Sequence, residues 1–506
     1  MAVSTTTVTA ERVEPPVILA IDVGTSSVRA LLFDRWGRAV EGGTARRTYQ
    51  LQVTTEGAVE ADPDAMLDRV WSCVDEVLQR QGGELRAAIG GVAVCTFVSN
   101  VLGVDQQGRA VTPLITYADT RSARDVAWLR EATDEGAVHQ RTGCRFHTSY
   151  LPARFRWLVR SRPALFERVE RWISLGEYME LQLFGEAAVS YSVASWTGLL
   201  NRRRLTWDEP LLALLPVGQE QLSPLTDVDV PRRGLRRPFA DRWPALRDVP
   251  WFPAVGDGAT ANVGSGCTSP ARVALSMGTT SAVRLVTDRE VERVPEGLWC
   301  YRVDGHRALP GGALSEGGNV FAWMRSVLQL GDPSDLDAAL ARKEPDAHGL
   351  TVLPFLTGER SPGWAGDARG TLHGLSLATT PVDILRASME AVAYRVGLIF
   401  DLMQPLLLDD FRVVVSGGAL LNSPSWLQIV ADVLGRPLAV SQVEEASARG
   451  AALLALEALG ALDDVSEAPP FVGESVTPDE GAHEQYREAM ERQRRLYEKL
   501  IAGSGR

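Results

Sequence analysis

The stretch ILAIDVGTSSVRALLFD, residues 18–34, returns later in the chain as VALSMGTTSAVRLVT, residues 273–287. Each copy reads as an apolar strand, a Gly-Thr turn of small hydroxyl residues, and a second strand with apolar side chains at alternate positions. Such a recurrence implies a duplicated unit, its halves opening near residues 17 and 271. Two unrelated hairpins would look the same locally. The length of 506 residues exceeds what one core of ordinary size holds, so two or more domains are expected.

Between and after the hairpins, helical and strand patterns mix, so the class is α/β. DPDAMLDRVWSCVDEVLQR and SYLPARFRWLVR read as helices, and GGVAVCTFV and VPWFPAVGDG as strands. In the second half, residues 382–403 form a long amphipathic stretch, followed by the strand FRVVVSGG and the helix SPSWLQIVADVLG. These patterns predict a flexible tail over residues 1–16, one domain over 17–268 and a second over 269–465. A proline- and acid-containing loop and a terminal helix then occupy 466–506.

The formal net charge of −12, with acids and bases interspersed, argues against a nucleic-acid partner, which would ask for a basic face. A few local donors suffice to hold phosphate on an acidic protein. The five cysteines include no C-x-x-C pair and the six histidines no zinc-like spacing, a pattern expected of reduced thiols in a cytoplasmic protein. Residues 1–16 lack the basic start and apolar stretch of a signal peptide, and no apolar run is long enough to span a bilayer, so no membrane association is expected.

In a Gly-Thr hairpin turn, backbone N–H groups and hydroxyls converge on a volume suited to a phosphate oxygen. Asp22, just before the first turn, is placed to hold Mg²⁺ directly or through water. The fixed charge of Arg29 reaches toward phosphate. Two facing hairpins would clamp a polyphosphate from both sides, and one acid serves one metal, which accounts for Met277 rather than an acid before the second Gly-Thr. Alternatively, both turns simply reverse the chain. VVVSGGALLNSPSWLQ adds a strand, Gly417-Gly418 and a helix, an arrangement that lets backbone approach a nucleotide, with Asn422 in reach of the nucleoside. A plain Gly-rich strand-to-helix turn would look alike. GGALSEGGNVFAWM, residues 311–324, likewise pairs two Gly-Gly steps with a helix start. Asp257, between Gly256 and Gly258 at the end of an apolar strand, is the candidate to accept the proton of a hydroxyl attacking phosphorus. Its alternative role is a cap on the following helix.

Taken together, these stretches resemble the FGGY carbohydrate kinases over roughly residues 17–465. GTLHGLSLATTPVDILRASMEA, residues 370–391, is similar to that family's C-terminal signature. YADTR, TGCRFHTSYLPARFRWL, PFLTGERSPGW and GALSEGGNVFAW are most similar to its gluconokinase-type branch. The resemblance implies two ribonuclease H-like domains of the actin and hexokinase type, with ATP and sugar meeting in the cleft between them. It assigns the paired phosphate turns to Thr25, Ser26 and Arg29 on one side and Thr279 on the other. Asp22 matches the acid associated with Mg²⁺, and Asp257 the catalytic base. Gly318, Gly418 and Asn422 match nucleotide contacts, with Gly417 beside them. Asp119, Arg121 and Tyr150 fall where family members contact sugar hydroxyls, and Arg360 falls near the substrate mouth. A homodimer is the assembly that the family suggests.

Two departures stand out. Arg154 replaces a lysine common in relatives and keeps its charge. Ser99 and Asn100 stand where gluconokinase-like and xylulokinase-like members present a His and a small residue, at positions that touch substrate. A hydroxyl and an amide in place of a ring donor alter both pocket volume and hydrogen bonding, unless a neighbouring group fills the gap. The expectation is therefore ATP-dependent phosphorylation of a hydroxyl, a primary one, on a sugar acid, ketose or polyol, with gluconate the first candidate. The alternatives are a kinase for a non-standard sugar-like or cyclitol intermediate and an actin-like ATPase switch. A switch has no need of Asp257 in a Gly-flanked pocket with YADTR and Tyr150 beside it.

Overall fold

The computed structural model describes residues 5–330 and 333–502. In the first half, β1 (Thr7–Val8), β2 (Val17–Val23), β3 (Ser27–Phe33) and β4 (Ala39–Thr48) precede helix α1 (Pro63–Arg80) and strand β5 (Ile89–Thr96). Helices α2 (Leu151–Ser161) and α3 (Leu175–Phe184) follow, then the two-residue strand β6 (Val255–Gly256) running directly into helix α4 (Asp257–Gly264). The six strands form one sheet in the order β1-β4-β3-β2-β5-β6. Strands β2, β3 and β4 are antiparallel neighbours, whereas β5 and β6 run parallel to β2.

The second half repeats the plan. Strands β7 (Arg272–Met277), β8 (Ser281–Leu285), β9 (Trp299–Arg302) and β10 (Ala308–Leu314) precede helices α5 (Gly318–Val327) and α6 (Pro381–Met403). Then come β11 (Arg412–Ser416), α7 (Gly418–Leu421), α8 (Pro424–Leu434), β12 (Leu438–Ser441), α9 (Ala446–Ala458), β13 (Val472–Val476) and α10 (Glu480–Leu500). The seven-stranded order is β9-β10-β8-β7-β11-β12-β13. Each half thus builds an antiparallel triplet (β4-β3-β2 and β10-β8-β7) and then adds two parallel strands. The recurring hairpin is the start of a recurring sheet.

Strands β2 and β5 are buried along almost their whole length, as expected of strands covered on both faces. The segment VPWFPAVGDG reads as a longer strand than it is. Pro250 and Pro253 withhold ladder donors, so only Val255–Gly256 pairs with β5, beside a single bridge from Trp251 to Val92. Helix α6 starts at a reciprocal cap, Thr380 Oγ1 accepting from Asp383 N while the Asp383 carboxylate accepts from Thr380 N. Such a cap stabilises a helix by about 1 kcal/mol.

Two segments expected to stand outside the domains are built into the sheets. Residues 1–4 of the expected tail lie outside the described residues, but Thr7–Val8 pairs with Ala39–Val40 at the edge of the first sheet. In the expected loop after residue 465, Val472–Val476 adds β13 to the second sheet, and α10 buries Tyr486, Ala489 and Met490 in the second core, over helices α6 and α8. The missed strand follows from alternation too short to register in sequence.

Helix α9 comes late in the chain yet packs on the first sheet. Ala448, Ala451, Ala452 and Leu453 share a core with Ile18, Ala20, Phe33 and Ala93. Its contact with α4 is the most extensive between any two elements. The two helices touch backbone to backbone at Gly264 and Gly450. A Cβ on Gly264 would lie 1.8 Å from the Ala446 carbonyl oxygen, and one on Gly450 1.8 Å from that of Thr260. Arg449, fully buried, fastens the crossing by donating to the carbonyls of Gly37 (2.9 Å) and Pro469 (2.7 Å) and to that of Gly264.

Gly450→Ala must push α9 off α4, and overpacking of this kind costs about 1–3 kcal/mol. The expected result is a thermal midpoint lowered by several degrees together with reduced turnover. An unchanged melting curve would show that the crossing yields without cost.

Candidate active site

The register of the first hairpin sets the charges beneath its turn. Asp22 lies opposite Arg29 across β2–β3 and beside Cys95 on β5. The buried Asp22 accepts from Cys95 Sγ at 3.4 Å, and Arg29 Nη2 stands 3.6 Å from its other oxygen. Arg29 also pairs with Glu445, the residue before α9, so one guanidinium spans two carboxylates. Burial raises the Asp22 pKa above the usual range, opposed by Arg29 and by the Cys95 hydrogen bond. Thr25 is half-buried and Ser26 exposed at the turn itself.

Where the second hairpin turns, helix α5 docks end-on. Gly318 N donates to the Gly278 carbonyl at 2.8 Å and Asn319 N to that of Thr279 at 3.1 Å. A Cβ on Gly318 would come within 2.8 Å of the Gly278 oxygen, which is why this step needs glycine. At the end of β11, Gly417 adopts φ +96° and lies so close to Met277 that a Cβ would meet its carbonyl oxygen at 2.4 Å. These glycines let three backbone segments converge on one open groove of about 680 Å³. Its walls include Thr279, Gly318, Gly418 and Asn422 with Phe321 and Trp426. Of the residues expected at the nucleotide, Gly417 supports the groove from behind, while Thr25, Ser26 and Arg29 belong to the other turn.

A second cavity, of about 240 Å³, is lined by Ser99, Tyr117, His147, Tyr150, Trp196, Asp257, Thr280, Arg284, Tyr301, Arg360 and Trp364, among others. Both halves of the chain contribute to it. Tyr301 stacks on both Trp196 (centroids 3.6 Å apart) and Trp299 (4.3 Å), which also touch each other, and its hydroxyl bonds to that of Tyr150. Asp257 is the first residue of α4, presented there by β6. One of its oxygens accepts from Gly258 N at 2.8 Å. Burial, with Asp22 nearby, pushes the Asp257 pKa up to about 6 against the opposing charge of Arg284. Burial and the neighbouring arginines, Arg360 first, push His147 down to about 3, so its ring is neutral.

Three residues expected at substrate are engaged elsewhere. Asn100 is buried beneath the cavity, where its amide donates to the Phe97 carbonyl and accepts from Leu175 N (2.8 Å) at the start of α3. Asp119 and Arg121 form a fork with each other, and Arg121 also pairs with Glu60 and lies over the Trp157 ring. Asp119 additionally accepts from Val59 N at 3.2 Å. These side chains brace the loops behind the cavity and do not line it. Ser99 does line it, but in a left-handed conformation (φ +54°), and its hydroxyl donates to the Trp196 carbonyl at 2.6 Å. Its own carbonyl accepts from Arg154, whose other donors go to Thr148 and Ser149. The retained charge at Arg154 therefore serves structure.

Sequence reasoning overlooked Arg284, His147, Trp196, Trp299, Tyr301 and Glu445. Only Arg284 left a signal, as a lone charge inside the apolar strand SAVRLV. The aromatic residues come from separate stretches that only the tertiary fold brings together. Among the described residues, Asp346, His348 and Glu390 are the one acid-and-histidine group close enough to hold a metal. Its donors and acceptors are already committed, His348 to Glu390 and Leu350 N, Glu390 to Arg386 and Tyr486, and Asp346 to Arg492. This group is a core network.

The chain matches the N-terminal domain of the FGGY family of carbohydrate kinases over residues 17–264 and its C-terminal domain over 273–459. It is 27% identical to a gluconokinase of Bacillus subtilis over 486 residues, covering 94% of each chain. It is 30% identical to a glycerol kinase of Stenotrophomonas maltophilia over 505 residues, covering 97% of each. The crystal structure of a gluconate kinase from Lactobacillus acidophilus superposes with a TM-score of 0.88 at 25% identity, over 96% of this chain and 98% of that one. The chain belongs to the FGGY family of carbohydrate kinases. It is an ATP-binding phosphotransferase with the two-domain α/β fold of that family. No helix among the described residues is long and apolar enough to cross a membrane.

A carboxyl whose folded pKa lies above its unfolded value stabilises the fold while protonated, and that contribution disappears as pH rises through the folded value. For Asp257 the window runs from its ordinary 3.8 to about 6. Asp257→Asn should therefore raise the thermal midpoint by a few degrees at pH 8 and change it little at pH 3.5. Equal shifts at both pH values would contradict the burial of an ionised Asp257.

Proposed function

We propose that this chain transfers the γ-phosphate of ATP to a hydroxyl, a primary one, of a sugar acid, ketose or polyol, with gluconate as the first acceptor to test. One observation carries the reading. Consecutive residues of a single turn open on two different chambers, Thr279 on the groove and Thr280 on the aromatic cavity that holds Asp257. A nucleotide in the groove would bring its terminal phosphate over this turn, toward a hydroxyl seated beside Asp257. Asp257 takes the proton of that hydroxyl as it attacks phosphorus. An unusually basic carboxylate suits the task, and it is ionised at neutral pH because its pKa stays near 6. Thr25 and Ser26 on one hairpin, with Thr279 on the other, supply hydroxyl and backbone donors to the phosphates.

Asp22 fits Mg²⁺, being a hard, buried oxygen donor under the phosphate turn with Arg29 as its one neighbouring cation. When bound with ATP, the ion would neutralise charge on the β- and γ-phosphates. Arg29, held between Asp22 and Glu445, is positioned to exchange one of these carboxylates for a phosphate oxygen. Enclosure by Trp196, Trp299, Tyr301 and Trp364 excludes water, which otherwise competes as acceptor.

A second reading, a kinase for a sugar-like or cyclitol acceptor, draws on Ser99. With its hydroxyl spent on the Trp196 carbonyl, Ser99 itself does not replace the ring donor of relatives. ADP release measured with Mg-ATP and gluconate, xylulose, ribulose, glycerol, sedoheptulose or a cyclitol separates the two. Turnover on gluconate far above the rest supports the first reading, and turnover confined to cyclitols the second. Asp257→Asn should lower kcat by about 10²–10⁴-fold with ATP binding retained. Full turnover in that variant would remove Asp257 from the chemistry. In the wild type, kcat/KM should fall on an acid limb with a midpoint near pH 6, since protonation disables the base.

A further inference from the structure

The aromatic cavity carries more positive charge than its own acid answers. Arg284 and Arg360 both line it, and Asp257 is the one carboxylate among the residues that do so. Arg360 Nη2 donates to the Leu314 carbonyl at 2.8 Å and Arg284 Nη1 to Ser276 Oγ at 3.2 Å. Arg284 Nε is buried with no acceptor. Neither guanidinium forms an ion pair among the described residues, whereas Arg29, Arg121, Arg307 and Arg395 each hold a carboxylate. Arg154 shows how the same chain treats an arginine of purely structural use, satisfying it with three carbonyls.

The nearby acids are accounted for. Asp22 faces Arg29, and Glu359 is taken by Arg395 and Tyr497. Glu316, close to Arg360, has both carboxyl oxygens buried without a partner, and burial raises its pKa to about 8, so it does not neutralise Arg360 at neutral pH. His147 is neutral, and the remaining walls are hydroxyls, aromatic rings and the small aliphatic side chains of Val98, Ala282 and Ala313. A charge among such rings interacts far more strongly than one in water, so an uncompensated guanidinium here favours an anionic ligand.

We propose that the acceptor is an anion, a polyhydroxylated carboxylate, and that Arg284 from β8 and Arg360 hold its charged end while a hydroxyl of the same molecule faces Asp257. This rests on the reading of the cavity as the acceptor site. It selects sugar acids over ketoses and neutral polyols, and it makes the two arginines determinants of specificity. Arg284 comes from the second sheet and Asp257 from the first. The acceptor's charge and its reacting hydroxyl are thereby gripped from opposite sides of the cleft. Gly258 makes room for this approach, since a Cβ there would stand 3.2 Å from Arg284 Nε.

The test compares gluconate with gluconamide and glucitol, which keep the carbon chain and lose the charge. ADP release with Mg-ATP is measured for the wild type and for Arg284→Gln, Arg284→Lys, Arg360→Gln and Arg360→Lys. The wild type should favour gluconate by about 100-fold in kcat/KM, because a site built around a charge rejects the neutral analogue. Each Gln variant should reduce that ratio to within about tenfold, chiefly through KM for gluconate, and Lys should restore part of it. Equal or better use of the neutral compounds by the wild type overturns the anion proposal and leaves the kinase reading standing. So does an equal loss on all three acceptors in the Gln variants. If no acceptor stimulates ADP release, the kinase reading fails, and thermal shift with the same compounds at matched ionic strength decides the binding claim. Gluconate stabilising the wild type but not the Gln variants then supports it, and equal shifts, or none, overturn it.

Discussion

The crossing of α4 and α9 at Gly264 and Gly450 fixes the rest of the molecule. Two helices whose backbones touch cannot slide or tilt independently, and here they join the first sheet to the later part of the chain. Helix α4 carries Asp257 at its first residue, and α9 begins just after Glu445, the partner of Arg29. Ser447 also donates to the Asp257 carbonyl at 3.5 Å. The acid facing the acceptor cavity and the charges beneath the phosphate turn are thereby set by the same contact. Side chains at the crossing would push the helices apart and move both sets of groups.

Around this fixed crossing the two sheets divide the work. Turns that close antiparallel hairpins bring backbone donors and hydroxyls to the cleft, and the parallel strands added to each triplet end in the residues that face it. The aromatic stack of Trp196, Tyr301 and Trp299 spans the two halves and walls the cavity. Aromatic pairs of this kind contribute about 0.5–1.5 kcal/mol each beyond their area. The stack thus provides both enclosure and adhesion between the halves.

Much of the architecture was legible because it is written locally. The repeated hairpin gave away a repeated sheet, and Gly417 and Gly318 mark places where backbone must approach backbone. Asp257 was conspicuous because glycines bracket it. What stayed hidden was long-range. The resemblance places Asp119 and Arg121 at sugar hydroxyls, and only the fold shows them bonded to each other with Arg121 against Glu60 and Trp157. Asn100 likewise turns inward because the start of α3 offers it a donor. Tyr301, Trp299 and Trp196 lie far apart in the chain, and no local pattern announces their meeting. Short edge strands such as Thr7–Val8 carry too few residues for alternation to be read.

The placement of α9 bears on how the polypeptide matures as it leaves the ribosome. The first sheet presents Ile18, Ala20, Phe33 and Ala93 to a helix that spans Ala446–Ala458. Until that helix emerges, one apolar face of an otherwise complete sheet stays open to solvent, through the synthesis of nearly the whole second half. Domains generally fold in turn as they are made, and exposed apolar surface on a waiting intermediate invites aggregation. The protein therefore has two lobes in its architecture but one indivisible unit in its biogenesis, and an isolated N-terminal half would be a sticky fragment, not a miniature of the whole.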